Sequence, residues 1–409
     1  MDKEGLLALI RDDARVFNAI NALRNSFSPL RFNDVRIPNA TPAEAIKRGI
    51  RTVQETLTAY DAFGLKVDDM DPGHGVGHLA RDYINALRLT HMDYVTDPSH
   101  LFVGFVGGVL HDMGNAIVER YEEGKRVTRH GEAGALLFNE ATKDLDLNDA
   151  ERTLIAHSIA AHTHYLKPLC VKGVDGIERT LPPYQDTDEE GKPVMGVWLP
   201  RWIDRLDCNG SAFLGRHFLT LVNPRDEFDG EKFYQTDIVS ALNPLLRPEV
   251  EIKVAGAHPL TMREHLRRYA RTQSNNSPYG KHDNGTMQSL RDTNTTALNA
   301  IIGAVDRDAL LGSSDIEHIL GRWTTFLSGN VEPSMLGRHA AEKMRSKFGE
   351  LDESTRRAWA SGFDQALETY RVWAAMAKSQ VGEIIGSDEE AQKLPLLNKN
   401  VFDVLKPAY

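Results

Sequence analysis

Apolar positions recur at helical spacing along much of the chain. Leu6, Leu7, Ile10, Val16 and Ile20 follow one such pattern; Ala45, Ile46, Ile50, Val53 and Leu57 follow another. Thr41-Pro42-Ala43-Glu44 reads as a helix start, with Thr41 as N-cap, proline in the first turn and Glu44 three residues on. Asp69-Met70-Asp71-Pro72-Gly73 reads as a loop, so residues 1–70 are expected to form an N-terminal helical segment. Four helices are expected next, over roughly 76–93, 99–116, 130–143 and 149–163. The second of these contains the apolar run Leu101–Leu110 with Gly104, Gly107 and Gly108 inside it. Glycine costs helix stability, so its repeated use there implies central burial and close approach by neighbouring backbone.

A loop rich in Lys172, Gly173, Asp175, Gly176, Pro182 and Pro183 follows, and a short hairpin around Val171–Leu181 and Val194–Leu199 is expected. Pro200 is expected to open another helix, which carries Trp202-Ile203-Asp204-Arg205-Leu206-Asp207. Residues 272–297 are polar and turn-rich, as in a mobile loop or linker. From Met335 to Ile385 the pattern is helical again, and Trp359, Phe363, Leu367, Tyr370 and Trp373 form a core or dimer-facing stripe. The expected fold class is all-α: residues 1–70, a domain over 71–215 with an irregular or hairpin insertion at about 166–200, and a mostly helical region over 216–409.

Composition narrows the partners. With 41% hydrophobic and 26% charged residues, the chain has ordinary globular composition. A net charge of -10 argues against a surface dominated by nucleic-acid contacts, which need basic groups to displace phosphate counterions. The two cysteines, Cys170 and Cys208, provide no disulfide framework and no cysteine-rich zinc module. Leu101–Leu110 is far shorter than the roughly 20 residues needed to span a bilayer. The acidic start Met1-Asp2-Lys3-Glu4 lacks a signal-peptide pattern, so no membrane association and a cytoplasmic location are expected.

The histidines are unevenly distributed. Nine of the 15 fall between positions 74 and 164. His111-Asp112 ends the apolar run and is followed by Gly114. A buried carboxylate beside an imidazole needs compensation, which a core ion pair or a divalent cation supplies. Upstream, His74-Gly-Val-Gly-His78-Leu-Ala-Arg81 puts a histidine in the first turn of a helix; downstream, Asp204 sits in a mostly apolar turn. The chain order is therefore His, His-Asp, Asp, on three helices. Imidazole with carboxylate suits Mn, Fe, Co, Mg, Ni or Zn.

This order resembles the HD superfamily of metal-dependent phosphohydrolases, whose signature is H…HD…D. The matching pieces are His78 in HGVGHLAR, His111-Asp112 in GGVLHDMGN and Asp204 in WIDRLD, covering roughly residues 70–215. The family's last acid opens an Asp-Arg/Lys-Leu motif, which selects Asp204 over Asp207. His130-Gly-Glu-Ala-Gly134 is similar to the histidine helix start of the binuclear members, and His162 falls in their next histidine segment. The Gly-Tyr-Pro motif of the cyclic-dinucleotide phosphodiesterases is absent, Tyr165-Leu-Lys-Pro standing in its place. His157 and His164 are seven apart and share a helical face, whereas His162 points elsewhere, so face geometry leaves the choice among the three open.

The resemblance implies a helical domain holding one or two divalent ions through His78, His111, Asp112, Asp204, His130 and His162. Asp112 would bridge two ions, and His130 would serve catalysis as a ligand of the second ion or as an acid/base group. Arg81, Arg129, Arg205 and His74 would face substrate, or orient ligands; His157 and His164 are further ligands or their supporting donors. The implied reaction is hydrolysis of a nucleotide or another small phosphate ester by metal-activated water. Two alternatives use the same residues: a di-iron oxygenase of the HD type, with the order H…HD…H…H…D, and a non-catalytic sensor or partner-binding module. The C-terminal helices are a possible homo-oligomer surface.

Overall fold

A computed structural model describes residues 1–25, 32–37, 41–65, 74, 78–79, 82–83, 85–86, 89, 95–118, 129–164, 169–172, 176–208, 251–252 and 260–261. These described residues are mostly helical. They fall in two units, the first within 1–70 and 82–204 and the second within 71–81 and 205–378. The loop or linker expected at 272–297 and the helical stripe of 335–385 lie outside the described residues.

In the first unit, α1 (Lys3–Arg11) and α2 (Asp13–Asn25) are two helices where the apolar spacing runs on without a break. Asp12 divides them. Its backbone N–H closes α1 on Leu9 O at 3.1 Å, and its Oδ1 accepts from Ala14 N and Arg15 N, both at 3.1 Å. An aspartate that satisfies the free N–H groups of a new first turn interrupts the helix while leaving its buried stripe in place. Val16 and Ile20 pack on Leu181. The long α3 (Pro42–Ala62) starts as the Thr41-Pro42-Glu44 pattern implies, with Thr41 Oγ1 accepting from Glu44 N at 3.2 Å. Its buried face carries Ala45, Ile46, Ile50, Val53 and Tyr60.

The central helix is α4 (Pro98–Leu110), capped by Asp97 and buried at every position from Leu101 to Leu110. It packs against α3 on one side and α6 (Asp149–His164) on another, and α6 also packs on α5 (His130–Ala141). The glycines of α4 are where neighbours come in. A Cβ built at Gly104 would lie 2.8 Å from Leu199 Cβ, one at Gly107 2.0 Å from Ser158 Oγ, and one at Gly108 2.3 Å from Ile203 Cδ1. A side chain at Gly107 would require the Ser158 hydroxyl to turn away and its Cβ, 3.1 Å from the built Cβ, to give way.

Three sequence expectations are corrected. The α-helix expected over 99–116 ends at Leu110 and turns through His111-Asp112 into a 3-10 turn, Met113–Ala116. The turn lets Gly114 pack on the first turn of α5. The hairpin exists, but both of its strands precede residue 182: β1 (Leu169–Lys172) pairs antiparallel with β2 (Glu178–Leu181), Leu169 facing Leu181. Val194–Leu199 is not a strand, and Pro200 does not open a helix, because α7 runs Met195–Cys208 with Pro200 inside it. Buried Val194, Trp198, Trp202 and Leu206 repeat every four residues straight through the proline. The helical bond that Pro200 cannot donate would have reached Gly196 O. That oxygen lies against α4 at Gly104, 3.3 Å from where a Cβ would stand.

Residues 82, 83, 85, 86 and 89, within the helix expected at 76–93, are helical and buried in the first unit. In the second unit, residues 78 and 79 are helical, and β3 (Glu251–Ile252) pairs antiparallel with β4 (Leu260–Thr261). No helix among the described residues is long and apolar enough to cross a membrane.

Candidate metal centre

The C-terminus of α4 delivers His111, which is 0% exposed. Its Nδ1 lies 2.7 Å from Gly108 O, one turn back. A carbonyl only accepts, so Nδ1 carries a proton and Nε2 is the atom turned to the carboxylates. His111 Nε2 stands 3.4 Å from Asp112 Oδ1 and 3.8 Å from Asp204 Oδ1 of α7; Asp82 Oδ2 is 3.8 Å from Nδ1.

The turn after α4 brings in a second helix. A Cβ at Gly114 would be 1.8 Å from His130 O and 2.6 Å from Gly134 N, so only glycine allows the start of α5 to rest on this turn. His130 is thereby placed with its Nε2 3.4 Å from Asp112 Oδ1. From α6, His162 adds its Nε2 at 3.7 Å from the same oxygen and 3.1 Å from His130 Nε2. His162 donates from Nδ1 to Ile159 O at 2.6 Å, repeating the arrangement of His111 on Gly108.

Asp112 Oδ1 is thus ringed by three imidazole Nε2 atoms. Donor atoms held about 2.1 Å from one ion at octahedral to tetrahedral angles stand roughly 3.0–3.4 Å apart. Of the observed spacings, 3.1, 3.4 and 3.4 Å fall within that range and 3.7 Å lies just above it. His111, Asp112 and His162 are buried, and one ligand atom from each falls within 4.8 Å of the others. These buried groups could hold a metal ion. Two of the imidazoles have their Nδ1 protons anchored on backbone carbonyls, which leaves Nε2 as the coordinating atom.

Electrostatics agree with a cation-binding spot. Burial alone would press the His111 pKa down, but the charge of Asp112 and its hydrogen bond, then Asp82 and Asp204, raise it to about 9. Burial together with the positive charges of His111 and His130 holds His162 well below its ordinary value, against the opposing pull of Asp112. Three carboxylates around one imidazole call for positive charge, and a divalent ion meets the need that a proton otherwise meets.

The other sequence candidates go elsewhere. His157, also on α6, turns its Nε2 to Gln185 O at 2.7 Å and its ring edge to Tyr184, with centroids 5.3 Å apart. Burial lowers its pKa to about 3, which keeps it neutral. The side chain of His164 and all of Arg81 lie outside the described residues. Arg129 is the N-cap residue of α5, directly before His130. In the second unit, His78 is buried and its Nδ1 pairs with Asp207 Oδ2 at 2.7 Å, while His74 meets the His78 ring edge-on at 6.1 Å. Arg205 is half-buried there.

Sequence reasoning passed over three groups. Asp82 is fully buried beside His111, and its signal was an acid directly after Arg81 in a helix expected to be packed. Asp207 orients the His78 ring. Arg24 and Glu132 form an ion pair at 3.0 Å with both side chains 0% exposed, and nothing in their spacing, 108 residues apart, announces it. A scan against protein-family models finds no match for the chain, and searches of curated proteins and of solved structures find no significant match either.

Proposed function

We propose that the chain is an HD-type metal-dependent phosphohydrolase acting on a nucleotide or another small phosphate ester. The single observation that carries this reading is the ring of His111, His130 and His162 Nε2 atoms at 3.4–3.7 Å around Asp112 Oδ1. Such a ring is what a divalent ion with nitrogen and oxygen donors needs. The proposed ligand set is His111, Asp112, Asp204, His130 and His162, and His78 belongs to it on its sequence motif alone.

A divalent ion held by these residues would lower the pKa of a water toward neutrality and would offset charge on phosphoryl oxygens. Asp112, central among the imidazoles, would supply the negative charge that holds it. Gly108 O and Ile159 O hold His111 and His162 in the tautomer that leaves Nε2 available. His130, with its side chain 14% exposed, is the most exposed of the three imidazoles, and it serves either as a ligand of a second ion or, with its Nε2 unbound, as the group that passes a proton to the departing oxygen. Arg129, next to it in sequence, is assigned to the substrate phosphate, for which its planar guanidinium would be a double donor. Arg81, Arg205 and His74 are assigned to the substrate side from their place in the motifs.

The test is elemental analysis of purified protein, then a phosphate-release screen over nucleotides, cyclic dinucleotides and sugar phosphates with Mn, Mg, Co and Ni. Metal-dependent phosphate release that is lost in Asp112→Asn is the expected result. Stoichiometric iron with an oxygen-dependent product instead makes the chain an oxygenase. Metal-free protein with no turnover leaves it a binding module.

A further inference from the structure

A second site stands on the first unit, independent of the metal-centre reading. Arg36, Lys47, Arg48 and Arg51 line a cavity of about 360 Å³, together with Ile37, Glu44 and Asp146. Residues 44, 47, 48 and 51 follow i, i+3, i+4, i+7 spacing, which places them on one face of α3, and Arg36 comes from the segment before it. We propose that this pocket binds a small phosphate-bearing anion.

The rear of the pocket is fixed. Arg48 stacks over the Phe102 ring at 4.4 Å and grips the buried Glu151 with both nitrogens, at 2.6 and 2.9 Å. Glu151 Oε1 also accepts from the Arg36 backbone N at 2.7 Å, so the two basic segments are tied to one carboxylate. Arg48 and Glu151 cancel, with Arg36 Nη2 also 3.9 Å from Glu151 Oε2, and Arg36, Lys47 and Arg51 line the pocket with Glu44 and Asp146. Those two acids are weak competitors. Asp146 is 93% exposed and 3.4 Å from Arg36, Glu44 is 48% exposed and 3.8 Å from Lys47, and exposed pairs of this kind contribute little. No ion pair to Arg51 is present among the described residues. Two guanidinium forks and an ammonium around a small cavity match the oxygens of a phosphate dianion. The volume is at the low end for a small-molecule site, and Ile37 is the main apolar wall, so the phosphate end dominates recognition.

The pocket is separate from the metal centre. Glu151 and His162 share α6 and are eleven residues apart, which is about 16 Å along the axis. A ligand here addresses the start of the helix that carries His162 at its other end.

The experiment titrates inorganic phosphate into the full-length, metal-stripped protein by calorimetry, against chloride at equal ionic strength. It is repeated with Arg36→Gln/Arg51→Gln, with Lys47→Gln and with Asp112→Asn. The arginine side chains are exposed, so the double variant is expected to melt as the wild type does; should it not fold, Lys47→Gln, which also loses a donor, decides. Losing two charge-assisted donors should weaken phosphate binding by at least about tenfold, while Asp112→Asn binds as the wild type. Three results overturn the proposal: no phosphate binding beyond that of chloride, unchanged binding in the folded arginine or lysine variants, or loss confined to Asp112→Asn. The last would place phosphate at the metal centre and leave the reading of that centre intact.

Discussion

Two buried carboxylates on neighbouring elements are treated in opposite ways. Glu132 on α5 is met by the Arg24 guanidinium at 3.0 Å and by Tyr184 Oη at 3.3 Å, with Arg24 stacked 4.3 Å over the Tyr184 ring. Arg24 also donates to Pro182 O. Asp112, in the turn that follows α4, is met instead by the imidazoles of His111, His130 and His162. A guanidinium is always charged, so the Glu132 site is finished when the chain folds. An imidazole is neutral or charged according to what else is present, so the Asp112 site is one that can take up protons and could hold a metal ion. The same two helices carry both sites: His130 and Glu132 lie on α5, His157 and His162 on α6. His157 belongs with Glu132 by its contact to Tyr184, and His162 belongs with Asp112.

The sharpest way to break this comparison is His111→Ala/Asp112→Ala. On the proposed reading, bound metal and metal-dependent turnover should disappear while a cooperative melt persists, because the rest of the apolar packing of α4 is left in place. Wild-type turnover in that variant would mean the reaction is carried elsewhere. At the other carboxylate the effect should be on folding. Arg24→Met leaves Glu132 buried without its cation, and a cost of about 3–5 kcal/mol in denaturant unfolding is expected. Adding Glu132→Gln should return much of that loss; no recovery would show that Arg24 acts through packing alone.

Single histidines separate the two sites more finely. His130→Ala and His162→Ala should each lower metal affinity by more than the roughly 10- to 100-fold that loss of a ligand's supporting partner costs, or remove one ion where two are bound, whereas His157→Ala should leave metal content unchanged. Elemental analysis reads all three, and metal loss in His157→Ala would put that residue in the wrong group. The smallest effect near neutral pH is on acid stability. His157 titrates at about 3 in the native protein, against about 6.5 when unfolded. Above that unfolded value both states are neutral and His157 contributes no pH dependence. As pH falls from about 6.5 toward 3, the unfolded chain takes up a proton that the native state refuses, and stability drops by about 1.4 kcal/mol per unit. His157→Gln can still donate to Gln185 O and does not titrate. Its stability should therefore fall less steeply over this window in urea melts at successive pH values, and matching slopes would sink the assignment.

Much of this arrangement is legible in the residues alone. Periodicity and capping chemistry locate α3 through Thr41-Pro42-Glu44, and the apolar run of α4 with its glycines announces a crowded central helix that ends in His111-Asp112. Local backbone preferences and the drive to bury an apolar face act over a few residues, so the chain order discloses them. The break at Asp12, the turn after Leu110 and the passage of α7 through Pro200 depend on what packs against those places. Only the folded chain decides them. His157, His162 and His164 stand within one helix with similar neighbours, and sequence spacing leaves their roles open. The contact of His157 with Gln185 and Tyr184, and of His162 with Asp112, comes from segments about 30 to 50 residues away along the chain. Arg24 on Glu132 spans 108 residues. Buried charges are satisfied by whichever partner tertiary packing brings within reach, and no local rule encodes that choice.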